Sequence, residues 1–532
     1  MEHSPKDVAD RHIFGMYERH SLRYGFAWAL TLAIGFTLVA SPLWAQKFPL
    51  LRWQKFYGTP AVDVPVRLIL AVDSSLYLGG YTHDANQVTN GLVVKVDLQG
   101  RELWQRQIGG AGYDEIRDLT SDNLANLFFA GVTGTNLTHP DAPNPRHRAD
   151  FWVGKIRPEG EVEWSKAFGG TAQDQAFGIA LTDPGAGGFT LVGSSWSTDF
   201  DCQNNPPNQL NNLWLLYLNR FGQVVKSQFF GGRKNDWGQS MVRTKDGGFV
   251  TLGFTNSEDI DNATTRHNGD IWLLKADAQG NQLWSTVIRE PYEDMPQRVC
   301  ENNYGNLAAV GSVFTEKEGK QFWMALVDRE GKVLKRLKWG GRGLDQLTSI
   351  YPCADGGFIL SGYGFYKSLD TKLQKGRSDV WLIRTDPDGN IIWQQTFGGP
   401  EDETGVDVVE VRPGVFYVLA RKVNTFDKTR PDAKDDFWLL RVDELGCSEL
   451  RPIFRTNMVE DRQKANTPIR FLNQSAEGDR FVWDFGDGTT STERMPTKVY
   501  RNPGVYVVKL TAYFNQSCSA SYTYPKPIII VQ

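Results

Sequence analysis

Cysteine, histidine and methionine are scarce in this chain: five, seven and seven among 532 residues. Cysteines at 202, 300, 353, 447 and 518 are too few for a dense disulfide framework, and their spacing fits no metal site. An odd count leaves at least one thiol unpaired. Cys447 and Cys518 can pair, or all five pack singly as small apolar groups. Beyond the first 45 residues histidine occurs only at 83, 139, 147 and 267. His139, Asp141 and His147 share one stretch, which reads as a metal site or, from its proline and asparagine content, as an exposed irregular loop. Excess positive charge is also missing. Lys and Arg total 58 against 62 Asp and Glu, a net charge of −4, which argues against nucleic acid as a partner. No Gly-x-Ser-x-Gly elbow and no Walker loop is present, so serine-hydrolase and P-loop chemistry are not expected. No cofactor is signalled.

One long apolar run exists, Tyr24 to Ala45, uncharged and preceded by Arg19 and Arg23. A basic flank, an apolar core and a small residue before Gln46 read as a signal peptide. A start at Met16 would give an ordinary short flank. The alternative is an uncleaved anchor, the chain's one contact with a membrane, since about 20 apolar residues span a bilayer. Without a cysteine at the cut, a lipoprotein anchor is not expected. Export to the periplasm, the outer surface or the medium follows from either reading.

Glycine, in contrast, is abundant at 53, as are Trp (17), Tyr (18) and Phe (30). The chain aligns on itself. The run Asp150-Phe-Trp-Val-Gly-Lys155 recurs around Trp214, Trp272, Trp323, Trp381 and Trp438, spaced 51 to 62 residues apart, and as Asn90–Lys95 without its Trp. Each unit continues with an Asp-x-x-Gly turn, a second Trp-bearing strand ending in Gly-Gly, a loop with an Asp, a third strand, another tight turn and a fourth strand. Radial repetition of four short antiparallel strands predicts a β-propeller. The first unit starts in mid-repeat at Trp53, and the last copy, Asp436 to Asp443, has nothing after it. These halves predict seven blades closed by the last strand, with no open edge.

The unit, through Asp-x-Trp-Leu-x-Lys-x-Asp-x-x-Gly, Trp-x-x-x-Phe-Gly-Gly and Asp-Gly-Gly-Phe, resembles a propeller repeat of secreted and surface proteins of Bacteroidetes-type bacteria. The Ser-x-Asp-x-Asp loops, Ser197 to Asp201 and Ser257 to Asp261, belong to the same likeness. It covers roughly residues 50–446 and implies a fold and a secreted habit but no activity. Residues 447–465 read as a linker and first strand. Residues 466–532 contain Trp483-Asp-Phe-Gly-Asp-Gly488, Tyr500 and Pro503-Gly-Val-Tyr506. They resemble a PKD domain, an immunoglobulin-like sandwich whose members serve as spacers or contact modules. The expected organisation is a leader (1–45), a propeller (46–446), a linker (447–465) and a sandwich (466–532), an all-β chain.

Antiparallel strands alternate direction, which places the longer, variable loops on one face, the natural binding face. Three features fall there. An Asp recurs at 63, 114, 174, 236, 294, 345 and 402, either as a carboxylate ring or, since every unit has it, as a cap for loop amides. Asp199, Asp201, Asp259 and Asp261, with Glu258, are weak candidates for Ca²⁺, with solvated acidic loops as the plainer reading. Trp196 and Trp237 stand outside the repeat and are candidates for contacting a sugar ring or a protein, unless they pack between blades. The expected function is non-catalytic recognition of a glycan or an envelope protein. Alternatives are a carbohydrate-active enzyme on the same face, for which no carboxylate pair is marked, and a purely structural platform.

Overall fold

The computed structural model describes residues 47–532 apart from 85–87, 135–148, 183–187, 208–209, 261–268, 292–293, 318, 342, 366–377, 424–434, 447–451, 459–461, 476–479 and 515–517. The apolar leader, the His139–His147 stretch, Asp261 and Cys447 therefore lie outside the described residues, as does the side chain of Cys518.

Apart from the three-residue 3-10 turn Phe200–Cys202, every described element is a strand. Strands Asp114–Ser121, Leu127–Thr133, Asp150–Ile156 and Val162–Phe168 form one antiparallel sheet in chain order. The pattern recurs over residues 174–230, 236–288, 294–339 and 346–397. It recurs again in Val62–Leu70, Leu76–His83, Thr89–Val96 and Glu102–Ile108. Strands Glu403–Arg412, Val415–Val423 and Asp435–Gly446 take their fourth partner from the other end of the array. Lys47–Tyr57 runs antiparallel to Asp435–Gly446, with Phe56 opposite Trp438. The first strand of each sheet packs against the first strand of the next, and Glu403–Arg412 packs against Val62–Leu70. Sheets stacked radially on their first strands are a β-propeller.

Local chemistry explains the repeat. In the turn at Asp277, the carboxylate accepts the amides of Gln279 and Asn281, and Gly280 takes the left-handed φ of +80°. Asp97 and Asp386 repeat this geometry. The repeated Trp is core: Trp152, Trp214 and Trp323 are fully buried, and Trp214 packs on Phe151 of the preceding sheet at 4.3 Å. Trp152, Trp214 and Trp272 each donate from Nε1 to a serine on the next strand, at 2.7 to 2.9 Å. Opposite Trp214 stands Gly193, where a Cβ would lie 1.9 Å from the Gln175 carbonyl, so only glycine fits.

The C-terminal sandwich starts earlier than residue 466. Phe454–Thr456 pairs with Pro468–Asn473, and Arg462–Lys464 pairs with Ile528–Val531. Phe454 is buried against Trp483 at 4.9 Å, which makes the expected linker part of this core. Cys202, Cys300 and Cys353 are buried free thiols, and burial pushes the Cys202 and Cys300 thiols up.

Candidate functional site

The first strand of each sheet opens at a fully buried carboxylate: Asp63, Asp114, Asp174, Asp236, Asp294, Asp345 and Glu403. The amide four residues earlier donates to it, as in Gly110 to Asp114 (2.8 Å), Gly170 to Asp174 (2.8 Å) and Gly232 to Asp236 (2.7 Å). Hydroxyls complete the set: Thr255 and Ser257 donate to Asp236, and Thr133 to Asp114. These groups cap loops. In the last sheet the role falls to Glu403, not Asp402: Gly399 donates to Glu403, whereas half-buried Asp402 faces Ser378 at 3.4 Å. Counting four residues from the second glycine of the Gly-Gly pair identifies Glu403.

Asp294 breaks the pattern. Its cross-strand neighbour is Val313 where four other sheets place Thr or Ser, and among the described residues no side-chain donor reaches either carboxylate oxygen, which leaves it only the Glu290 amide. Burial, together with the charges of Glu290 and Asp270, pushes its pKa up to about 8.

Beyond the carboxylate, every first strand carries a bulge two to four residues on, as at Ile116/Asp118 and Gly405/Asp407. The residues left unpaired are Val66, Arg117, Phe177, Gln239, Gln297, Thr348 and Val406, and a bulge re-aims its side chain. All of them line one cavity of about 510 Å³. Tyr81, Glu115, Gln346, Tyr363 and Arg421 add to its wall. Arg117 pairs with Glu115 at 3.1 Å, donates to Gln175 at 3.0 Å and lies over the Phe177 ring at 4.6 Å. Gln346 accepts from Tyr363 at 2.9 Å and from Lys320 at 2.8 Å.

One residue further on, four charges meet beneath this cavity. Arg67 pairs with Asp118 at 2.8 Å and with Asp407 at 2.9 Å. Arg298 stands 3.6 Å from Asp118, lines the cavity and has no hydrogen bond at its buried Nε. Burial would raise the Asp407 carboxyl, but Arg67 and Arg298 outweigh it and hold the group below its ordinary range. Burial and the neighbouring Arg67 push the Arg298 guanidinium down.

The two singled-out tryptophans are not joined by a ring contact among the described residues. Trp237 begins its strand one residue after Asp236 and packs on Phe254 at 4.6 Å. Trp196 is 36% exposed on the loop after Phe189–Ser195, at the same end of the strands. The acidic loops brace a neighbouring loop. Asp199 accepts from the Thr171 amide and hydroxyl at 2.9 and 2.8 Å, Asp201 from the Gly169 amide at 3.1 Å, and Asp259 from the Arg233 amide at 3.0 Å. Glu258 pairs with Lys234. Among the described residues no group of three His, Cys, Asp or Glu side chains is arranged to hold a metal, and no helix is long and apolar enough to cross a membrane.

The sequence reading overlooked the cavity. The bulged position reads Val66, Arg117, Phe177, Gln239, Gln297, Thr348 and Val406 around the array, so self-alignment discards it as noise. Variation at fixed offsets of three and four from the capping carboxylate was the available signal.

A family model described as a PKD domain matches residues 451–525, and that segment is a PKD domain. Over 51 residues, 9% of this chain, the sequence is 61% identical to collagenase ColA of Bacillus cereus, and the match spans 5% of that protein's length. Among solved structures, the Neurospora crassa Pan2 WD40 domain overlays with a TM-score of 0.44 at 10% identity, covering 75% of this chain and 96% of that one. The PQQ-bound aldose sugar dehydrogenase of Streptomyces coelicolor overlays with a TM-score of 0.37 at 10% identity, covering 75% and 99%.

Proposed function

We propose that the four-stranded sheets are the seven blades of a closed ring and that the chain is an exported binding protein for the end of a glycan. The pairing of Lys47–Tyr57 with Asp435–Gly446 supports closure, as does the packing of Glu403–Arg412 on Val62–Leu70. The apolar leader and the PKD domain support export. The cavity carries the functional reading. It takes a side chain from the first strand of every sheet, and its volume lies within the range of ligand pockets. Glutamines 239, 297 and 346, with Thr348, donate and accept hydrogen bonds as sugar hydroxyls do, and Tyr81 and Phe177 offer ring faces. Trp196 and Trp237 belong to the surrounding face as outlying contacts.

Hydrolysis of a glycan needs two carboxylates at a set separation. Glu115 is the one carboxylate among the described lining residues, and it is bound to Arg117. This weighs toward recognition without turnover.

A polysaccharide array probed with the full chain, beside a Gln239→Ala/Gln297→Ala double variant, tests the proposal. Binding by the parent and a loss of at least tenfold in the variant are expected. Undiminished binding by a folded variant moves the site off the cavity, and sugar release would establish an enzyme.

A further inference from the structure

The cavity mixes polar and apolar side chains and is unevenly charged. Its wall and floor bring together Arg67, Arg117, Arg298 and Arg421 against Glu115, Asp118 and Asp407. Arg67 is committed to Asp118 and Asp407, and Arg117 to Glu115 and Gln175. Arg298 differs. Its nearest carboxylate, Asp118, is already held by Arg67 at 2.8 Å and by the Ile179 amide at 3.0 Å, and Asp407, whose charge also bears on it, by Arg67 and the Leu68 amide. The Arg298 head is left 3.6 Å away, and its side chain keeps 15% of its surface where it lines the cavity.

A guanidinium held this loosely at a cavity wall is matched by a planar anion that takes two parallel hydrogen bonds, which is carboxylate geometry. Such an anion, entering from the mouth, would supply the pairing that Asp118 gives only weakly. The uncharged polar side chains of the wall, Gln239, Gln297, Gln346 and Thr348, select what carries the carboxylate. Three glutamines and a threonine complement a polyhydroxylated ring better than a peptide.

Resting on the glycan reading above, we propose that this cavity is a receptor for acidic sugars, seating the carboxylate of a uronate residue on Arg298 with its hydroxyls against Gln239, Gln297 and Gln346. Arg421 contributes positive charge at the wall and steers the anion inward.

The test is calorimetric titration of the full chain with galacturonate and mannuronate trimers, their methyl esters and the carboxyl-reduced neutral trimers, at low and physiological salt. One acid trimer is expected to bind at least tenfold more tightly than its ester and its reduced form, with the difference shrinking as salt rises. Arg298→Gln should abolish that difference while the neutral trimer keeps its affinity. The comparison of sugar forms in the unaltered protein stands even if this variant folds poorly. Equal binding of acid, ester and reduced forms overturns the uronate proposal and leaves glycan recognition intact. Binding of neutral glycans alone does the same. Binding of a glutamate-rich peptide with no trimer bound overturns both readings.

Discussion

Arg67 and Asp407, 340 residues apart in the chain, meet at 2.9 Å between the first strand of the first sheet and the first strand of the last. Asp407 also accepts the Leu68 amide at 2.8 Å and the Ser349 hydroxyl. The pair thus ties the two ends of the repeat array in a buried setting, where losing the Asp407 charge leaves two guanidiniums, Arg67 and Arg298, to share Asp118. Asp407→Asn is expected to cost about 3–5 kcal/mol at neutral pH, measured by denaturant unfolding. Because the folded carboxyl titrates below its ordinary range, its stabilisation is present above about pH 4 and is lost as pH falls through the folded pKa. The gap between parent and variant should therefore narrow in acid.

Asp294 works in the opposite direction. With a folded pKa of about 8, it stays protonated in the fold while the unfolded chain ionises near pH 4. Between these values the unfolded state binds fewer protons, so this group lowers stability as pH rises. Asp294→Asn is expected to raise stability at pH 8 by more than about 1 kcal/mol, the worth of one pKa unit, with little change at pH 4. A variant less stable than the parent at pH 8 would mean that the carboxylate is satisfied.

The legible parts of this fold are those whose cause is local. The turn at Asp277 lies within five residues, and the buried Trp152 and Trp214 fill the same slot in successive sheets, so both appear as repetition. The cavity is illegible for the converse reason. A bulge such as that at Arg117 is a mismatch between two strands, and no residue in Asp114–Ser121 announces it. The pairing of Arg67 with Asp407 depends on ring geometry across the whole array. Phe454 lies in a stretch that reads as linker and entry strand without a marked core residue, until Trp483 is seen against it. Glu403 escaped for a smaller reason: the adjacent Asp402 matched the repeat in type, though only Glu403 matched it in position.

The acidic loops permit a metal test. Asp199 and Asp259 already accept amides from the neighbouring loop. Calcium would have to displace these bonds. Thermal unfolding with millimolar Ca²⁺ or with EDTA is expected to give the same Tm. Asp199→Ala should lower stability by no more than about 1 kcal/mol, since water can replace the carboxylate at the exposed Thr171 amide. A Tm that rises with Ca²⁺ and not with Mg²⁺ would restore a cation to these loops.

Trp196 and Trp237 separate binding from packing. The Trp237 ring lies on Phe254 at 4.6 Å, so Trp237→Ala removes a contact between two half-buried rings and should cost about 1 kcal/mol. Trp196 is exposed, so Trp196→Ala should change stability by no more than about 0.5 kcal/mol. If the rim of this face touches the ligand, that variant should weaken glycan binding on the order of tenfold, because the exposed part of the ring contributes through contact. Equal affinity in parent and Trp196→Ala would confine recognition to the cavity. A weakened Trp237→Ala with an unaffected Trp196→Ala would assign the effect to strand Asp236–Arg243, which presents Gln239 to the same cavity.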